Sequence, residues 1–210
     1  ELLSGERLMP NFARHMDGHL LCAVDVETTG FVAGYHDVIQ VAVLPLDADI
    51  KPITSIVPIH WKLQPKYENI DPQAVDVHGL NMADLKLNGI DPYVAADIFV
   101  EWWSKLGLGL DKRLIPLGHN YGFDKAFMID WLGQETYDLC FHYHHRDSMQ
   151  AMMFLNDRAC LQRNEFPFSK YSLRHLCSES GVVNERAHDA LADCVATAEC
   201  YRLLCKKLVI

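Results

Sequence analysis

Long apolar runs are missing from this sequence. None approaches the ~20 residues that a membrane-spanning helix needs, and the segment before Leu20 has no signal-peptide core. We therefore expect a soluble, intracellular protein, cytoplasmic and in a reducing environment, without a membrane partner. Basic residues are also few, with 19 Lys and Arg against 28 Asp and Glu and a formal net charge of −9. Because phosphate affinity normally comes from Lys and Arg, this deficit argues against bulk electrostatic capture of nucleic acid. A phosphate-bearing substrate would need help from bound cations.

Paired cysteine motifs are absent too. The seven cysteines are an odd number and include no Cys-x-x-Cys, which argues against a disulfide framework or a zinc ribbon. We expect reduced, mostly buried thiols. Half of the residues are hydrophobic and only 22% are charged, so disorder, collagen and coiled-coil architectures have no compositional support. For 210 residues we expect a loosely ordered arm at 1–19 and one domain at 20–210.

The order of secondary-structure elements predicts an α/β fold. Strands are expected at 20–27, 38–46 and 53–63, with connections too short for a crossover helix, which indicates an antiparallel meander. Pro58 favours an edge position for the third strand. The rest alternates between helices from Pro72 and Pro92, a strand at 114–117, a helix at 123–132, a strand at 139–144, and helices near Asp147, Ser172 and Asp189. This order predicts a mixed five-stranded sheet, a meander followed by parallel strands, flanked by helices.

Carboxylates occur where predicted strands end or helices begin. On the first strand Asp25 and Glu27 share one face about 7 Å apart, which is costly unless protons or cations neutralise them. A half-exposed strand with a polar face would explain that segment equally well. Asp124 lies in the first turn of a helix, where on its own it would serve only the helix dipole. Asp193 lies among small residues on the last helix, which allows close approach to the sheet.

His188 precedes Asp193 by five residues. Five residues rotate a helix by roughly 140°, so the two side chains do not share a helical face, and we expect His188 at or before the helix start. Together, the four acids and this imidazole are what hydrolysis through two hard cations requires. Mg²⁺ prefers oxygen ligands, and two such ions ~3.5 to 4 Å apart clamp the attacking and leaving oxygens of a phosphodiester. A histidine takes the proton from the attacking water.

Three segments, at 25–31, 119–124 and 188–193, resemble in order and spacing the motifs of the DEDDh family of 3′-to-5′ exonucleases. The family has an RNase H-like fold, and proofreading subunits of bacterial replicative polymerases and ribonuclease T belong to it. The resemblance extends from about Leu20 to Tyr201. A further segment at 77–80 resembles the His-Gly found between the first two motifs of proofreading relatives.

The resemblance implies a role for each matched residue. Asp25 would bridge two divalent cations, Mg²⁺ or Mn²⁺, Glu27 and Asp193 would complete the site of the nucleophilic water, Asp124 would bind the second ion, and His188 would be the general base. Substrate contacts would come from backbone around Thr28, Thr29 and Gly30 and from Phe31, His78 and Asn120. The implied activity releases nucleoside 5′-monophosphates from single-stranded or frayed 3′ ends, with DNA favoured.

Other interpretations stay open. The alternatives are an RNA-end-trimming enzyme of the same family, and a catalytically weak module that binds nucleic acid, a polymerase or a replication complex, although the presence of all five motif residues argues against the latter. The choice between DNA and RNA depends on contacts to the sugar 2′ position, which no motif exposes. We expect His142, His144 and His145 on an exposed edge strand instead of at a metal site, since only His142 and His144 would share a strand face. A broken basic rim or a solvated surface explains Lys62, Lys66, Arg158, Arg163, Lys170 and Arg174.

Overall fold

A twisted sheet of five strands forms the centre of the computed structural model, which describes residues 17–109 and 111–207. The strands are β1 (Leu20–Thr28), β2 (Val38–Pro45), β3 (Ile59–Lys62), β4 (Leu114–Gly118) and β5 (Arg146–Asp147), in the sheet order β3-β2-β1-β4-β5. β1 pairs antiparallel with β2, and β2 antiparallel with β3. β4 pairs parallel with both β1 and β5. The predicted mixed sheet, a meander followed by parallel strands, is confirmed.

Eight helices flank this sheet within the described ranges. They are α1 (Pro72–His78), α2 (Met82–Asn88), α3 (Pro92–Lys105), α4 (Tyr121–Leu132), α5 (Gln134–Cys140), α6 (Ser148–Leu161), α7 (Leu173–Ser180) and α8 (Ala190–Lys207). The side chains of Asp71, Asp91, Asp147 and Ser172 accept hydrogen bonds from backbone N–H groups in the first turns of α1, α3, α6 and α7. These four predicted helix starts are therefore confirmed, each with the cap that the sequence indicated.

The two faces of β1 belong to different layers of the core. Its even-numbered residues from Leu20 to Val26 pack with residues of α3, α4 and α5. Its odd-numbered residues Leu21 and Ala23 pack beneath α8. Since strand side chains alternate between faces, the next odd-numbered residues, Asp25 and Glu27, emerge on the α8 side of the sheet. Of the small residues of α8, Ala190, Cys194 and Ala198 pack against the sheet, whereas Ala196 and Cys200 pack against α6 and α7.

The predicted strand at 139–144 is wrong. Residues Gln134–Cys140 form α5 instead, and Phe141 makes only an isolated bridge with Leu114. Tyr137, Cys140 and Phe141 are all buried, and their spacing of three and four residues is that of a helical face. His142 and His144 therefore do not share a strand face, and the fifth strand comes later, at Arg146–Asp147.

The other differences are local. β3 is shorter than the predicted 53–63 because the chain turns first, with the Ile56 N–H donating to the Ile53 carbonyl before Pro58. β3 does lie at the sheet edge, as Pro58 indicated. α4 begins two residues before the predicted 123. α2 was not predicted, although Asn81 caps it by accepting hydrogen bonds from the Ala83 and Asp84 N–H groups.

Most of the predicted N-terminal arm, residues 1–16, lies outside the described residues. At 17–19 the chain approaches β1, and His19 Nδ1 accepts a hydrogen bond from the Arg113 N–H at 2.9 Å. The domain limits at 20 and 210 stay predictions. None of the described helices combines the length and apolar character needed to cross a membrane.

Candidate active site

Asp25 and Glu27 lie near the carboxyl end of β1, between β2 and β4. Glu27 is 9% exposed. A bulge between Glu27 and Thr28 interrupts the pairing of β1 with β2. Asp25 and Glu27 themselves keep their regular pairing, opposite Ala42 and Gln40, so the two carboxylates occupy the last regular part of the strand.

Asp124 reaches the same place from the first turn of α4. It is 4% exposed, and its Oδ1 accepts a hydrogen bond from the Val26 N–H at 3.0 Å. Asp147 holds the start of α4, because its carboxylate accepts hydrogen bonds from the Asn120 and Tyr121 N–H groups at 3.1 and 2.9 Å. The carboxylate of Asp147 therefore caps two helices at once, α4 and α6, and directs Asp124 towards β1.

Asp193 and His188 come from the start of α8 and the residues before it. Asp193 Oδ2 accepts a hydrogen bond from the His188 N–H at 3.1 Å, and Asp193 Oδ1 accepts one from the Asn184 side chain. His188 precedes the helix with a φ of +67°, as the five-residue spacing predicted. Side-chain ligand atoms of Glu27, His188 and Asp193 all lie within 4.8 Å of one another.

These four carboxyl groups are crowded together in a buried place, which disfavours their charged form. Burial is the main cause that raises the pKa of Asp25, and the neighbouring carboxylates of Asp124, Glu27 and Asp193 raise it further. Burial, followed by the Asp193 carboxylate, raises the pKa of Glu27 to about 8. Burial raises the pKa of Asp124 to about 8 despite the hydrogen bond from Val26. No described Lys or Arg forms an ion pair with any of the four acids.

This donor set fits hard divalent cations. Carboxylate oxygens are the ligands that Mg²⁺ and Mn²⁺ prefer, and a bound cation would remove the repulsion that raises the pKa of these groups. Glu27, His188 and Asp193 form the group close enough to share one ion. Asp25 lies two residues before Glu27 on β1, and Asp124 is hydrogen-bonded to the N–H of Val26 between them.

A cavity of about 140 Å³ opens beside Glu27. Its lining comprises Val26, Glu27, Thr28, Phe31, Ala74, Val77, His78 and Phe123. His78 Nδ1 accepts a hydrogen bond from the Leu80 N–H at 2.9 Å, and its Nε2 is buried without a partner among the described residues. Three of the implied contact residues, Thr28, Phe31 and His78, therefore meet here. Val77 and Phe123 were missed, although Phe123 directly precedes Asp124 in the second motif.

The other implied contact residues do not line this cavity. Thr29 is fully buried, and its N–H and Oγ1 are hydrogen-bonded to the backbone of Asp37. Gly30 lies against His36, whose ring would be only 2.3 Å from a Cβ at this position. Asn120 is exposed at the start of α4. Thr29 and Gly30 thus build the turn behind the cavity.

A second set of polar residues supports the start of α8. Gln40 pairs with Glu27 across the sheet, is 1% exposed, and accepts a hydrogen bond from the Ala190 N–H at 3.0 Å. His60 Nε2 lies 3.2 Å from Asp189 Oδ2 and 3.2 Å from Gln40 Nε2. The sequence analysis did not identify Gln40 and His60, because no motif includes the strands on which they lie. The available signal was a glutamine within an otherwise apolar strand.

The comparison with known families and proteins agrees with this geometry. A family model described as "Exonuclease" (RNase_T) matches residues 22–201. The 3′-5′ DNA exonuclease Cap18 of Escherichia coli is 27% identical over 195 residues, covering 90% of this chain and 94% of that protein. Ribonuclease T of Escherichia coli (strain K12) is 25% identical over 197 residues, covering 83% of this chain and 79% of that protein.

Solved structures of exonuclease I share the fold. One matches with a TM-score of 0.72 and 20% identity over 90% of this chain. Escherichia coli exonuclease I in complex with a dT13 oligonucleotide matches with a TM-score of 0.66 and 20% identity over 89% of this chain. The present chain spans 41% of each of these exonuclease I chains. Exonucleases of this family depend on divalent metal ions. Because the family model covers most of its length, the chain belongs to the Exonuclease family, as a 3′-to-5′ exonuclease of the DEDDh type with an RNase H-like fold.

Proposed function

We propose that this chain is a metal-dependent exonuclease that hydrolyses the terminal phosphodiester bond at 3′ ends of single-stranded or frayed nucleic acid, with DNA favoured, and releases nucleoside 5′-monophosphates. The observation that carries the proposal is the grouping of Glu27, His188 and Asp193 within 4.8 Å beside a cavity lined by Phe31 and Phe123. A reactive group next to a small recess suits removal of one terminal nucleotide at a time.

The four carboxylates and the histidine would divide the chemistry between them. Asp25, Glu27, Asp124 and Asp193 would hold two divalent cations, Mg²⁺ or Mn²⁺. When bound, such ions stabilise the negative charge that develops on the phosphate during hydrolysis. His188 would take the proton from the attacking water. The hydrogen bond from the His188 N–H to Asp193 ties the base to the carboxylate cluster, so that the two act on the same phosphate.

The cavity would receive the terminal base. Phe31 is 55% exposed, and together with Phe123 it offers aromatic surface on which a base can stack. The buried Nε2 of His78, which lacks a partner among the described residues, offers a polar contact to the terminal nucleotide. Because a paired base must leave its stack to enter this recess, single-stranded or frayed ends should be cleaved faster than blunt duplex ends.

The preference for DNA is the finer part of the proposal. The relative named as a DNA exonuclease, Cap18, matches over 94% of its length. Exonuclease I structures in complex with dT13 or dA16 oligonucleotides support a single-stranded substrate. Ribonuclease T supports a second candidate, an exoribonuclease that trims RNA ends. A polymerase or replication complex is a further proposed partner, from the resemblance to proofreading subunits.

The test uses 5′-labelled single-stranded DNA and RNA of matched sequence, incubated with Mg²⁺ and with EDTA. We expect a ladder of products shortened by single nucleotides, release of nucleoside 5′-monophosphates, faster cleavage of DNA, and no reaction in EDTA. Asp25→Asn should remove nearly all activity. Asp157→Asn makes the same charge change at an exposed position on α6 and should leave the rate unchanged.

Several outcomes would contradict the proposal. Activity that persists in EDTA, or internal fragments that appear before terminal products, would exclude metal-dependent exonuclease action. Faster cleavage of RNA would favour the second candidate. Tight binding of both oligonucleotides without degradation would favour a binding module.

A further inference from the structure

Two cysteines from different helices meet in the core behind the active-site segment. Cys177 on α7 and Cys200 on α8 place their sulfur atoms 3.7 Å apart, within the hydrophobic cluster that joins these helices. Both are free thiols. A disulfide has an S–S length of about 2.05 Å, so an approach of about 1.7 Å would convert this contact into a covalent bond.

The two thiols differ in access. Cys177 is 5% exposed, whereas Cys200 is fully buried. Cys177 lines a cavity of about 520 Å³ together with Arg174, Ser178 and His188. Arg174, Ser178 and His188 are exposed, so the cavity is open to small solutes from the surface. A reagent in solution therefore meets Cys177 first and reaches Cys200 only through it.

The sulfur contact also makes the two thiols chemically unequal. The Cys200 thiol donates to the Cys177 sulfur, which lowers the pKa of Cys177 and raises that of Cys200. Because the thiolate is the reactive form of cysteine, Cys177 is the attacking group. Cys200 lies where a second, resolving thiol is needed.

The pair brackets the segment that carries His188. The Val182 N–H donates to the Cys177 carbonyl at 2.9 Å as α7 ends, and Asn184 then donates to Asp193. Cys200 follows Asp193 by seven residues on α8, which is about two helical turns. Cys177 lies in the last turn of α7 and Cys200 almost three turns into α8, so a bond between the sulfurs draws together the two helices that this loop connects.

We propose that Cys177 and Cys200 form an oxidation site, at which a peroxide converts the two thiols into a disulfide that joins α7 to α8 and displaces the His188 segment. The Cys177 thiolate attacks one oxygen of hydrogen peroxide, the O–O bond breaks, and a sulfenic acid and one water result. Cys200 then attacks the sulfenic sulfur, the S–O bond breaks, the S–S bond forms, and a second water leaves. The two sulfurs lose two electrons, the peroxide gains two, and both thiol protons end in water.

The oxidised protein should hydrolyse nucleic acid more slowly. Displacement of reacting groups by about 1 Å is enough to lower a rate by roughly 10²-fold, so we expect kcat to fall at least tenfold, and dithiothreitol to restore it. This part rests on the proposed function, whereas formation of the disulfide does not.

The experiment oxidises the reduced, EDTA-treated chain with hydrogen peroxide, removes the peroxide with catalase, and then divides the sample. One half is digested with trypsin without reduction, where Cys177 lies in peptide 175–186 and Cys200 in peptide 187–202. Fragmentation of the linked pair distinguishes Cys200 from Cys194 in the same peptide. The other half is assayed with Mg²⁺ before and after dithiothreitol. We expect a Cys177–Cys200 link and a reversible loss of activity.

Two variants sharpen the result. Cys177→Ala should form no link and keep its activity after peroxide. Cys160→Ser removes an exposed thiol on α6 and should behave as the unmodified chain does. If peroxide oxidised Cys160 but formed no Cys177–Cys200 link, the proposed site would be wrong. It would also be wrong if peroxide inactivated Cys177→Ala as much as it inactivates the unmodified chain. A link without loss of activity would overturn the displacement of His188.

If Cys177→Ala does not fold, peptide mapping of the unmodified chain still shows whether Cys177 and Cys200 form the disulfide. A reduced chain that forms the link but degrades no nucleic acid would instead contradict the proposed function alone.

Discussion

Gln40 on β2 accepts a hydrogen bond from the Ala190 N–H at the start of α8, with 3.0 Å between Oε1 and N, across 150 residues of sequence. Gln40 is also the partner of Glu27 in the β1–β2 ladder. The buried amide of Gln40 therefore links β1, which carries Asp25 and Glu27, to Ala190, which lies two residues after His188. The position of His188 therefore depends on β2 as well as on α8, the helix that it precedes.

Substitution of Gln40 should lower turnover more than substrate binding. Gln40→Ala leaves the buried Ala190 N–H unpaired, which costs about 1–3 kcal/mol of stability. It also releases the start of α8, and small displacements of a reacting group lower rates by up to roughly 10²-fold. We expect kcat to fall at least tenfold with a smaller change in KM, measured by steady-state hydrolysis of single-stranded DNA. Gln162→Ala, at an exposed position, is the matched control. A rise in KM with kcat unchanged would contradict this role.

Without metal ions, the protein should lose stability as the pH rises towards 8. In the folded state the pKa of Glu27 and of Asp124 is raised to about 8, whereas in the unfolded chain both groups release their protons near pH 4. Between these values the folded state binds more protons, so the free energy of unfolding falls as the pH rises. We expect a lower Tm in EDTA at pH 8.5 than at pH 6.

Divalent cations should remove most of this pH effect. Millimolar Mg²⁺ or Mn²⁺ binds the ionised carboxylates of the folded state, so it should raise Tm more at pH 8.5 than at pH 6. Asp25→Asn should reduce the shift, and Asp157→Asn should keep it. A Tm in EDTA that increases from pH 6 to pH 8.5, or a chain that no divalent cation stabilises, would be incompatible with the carboxylate site.

Removal of the His188 side chain should act on the chemical step. A general base contributes roughly 10²- to 10⁴-fold to a rate, so His188→Ala should lower kcat by that factor and leave KM for single-stranded DNA nearly unchanged. The four carboxylates remain, so stabilisation by Mg²⁺ should persist. His144→Ala, at an exposed residue outside the site, provides the control. Unchanged turnover in His188→Ala would remove the histidine from the mechanism.

The two phenylalanines of the cavity should govern substrate binding. Stacking of a base on an aromatic side chain is worth about 1–3 kcal/mol, so Phe31→Ala and Phe123→Ala should each raise KM by roughly 5- to 150-fold. Phe154→Ala, at a phenylalanine of α6 that is 57% exposed, should leave KM unchanged. If Phe31→Ala and Phe123→Ala left KM as unchanged as Phe154→Ala does, the terminal base would not occupy this cavity.

Local sequence patterns were sufficient for much of the fold. The apolar runs of β1 and β2, and the Asp and Ser caps of α1, α3, α6 and α7, are short-range signals, and the structure confirms them. Residues 134–144 were harder because a short apolar segment suits either a strand or a helix. In the structure Tyr137 and Cys140 pack into the hydrophobic core, and this packing favours the helix α5 over a strand.

The sequence by itself determined the order and spacing of the three motifs, and their resemblance to the DEDDh family predicted Asp25, Glu27, Asp124, His188 and Asp193 as the site. Only the tertiary structure decided which other residues belong with them. Gln40, His60, Phe123 and the Cys177–Cys200 pair come together through packing between elements far apart in the chain. The physical reason is that backbone geometry acts over a few residues, whereas contact between β2, α7 and α8 depends on how all layers of the core fill space together.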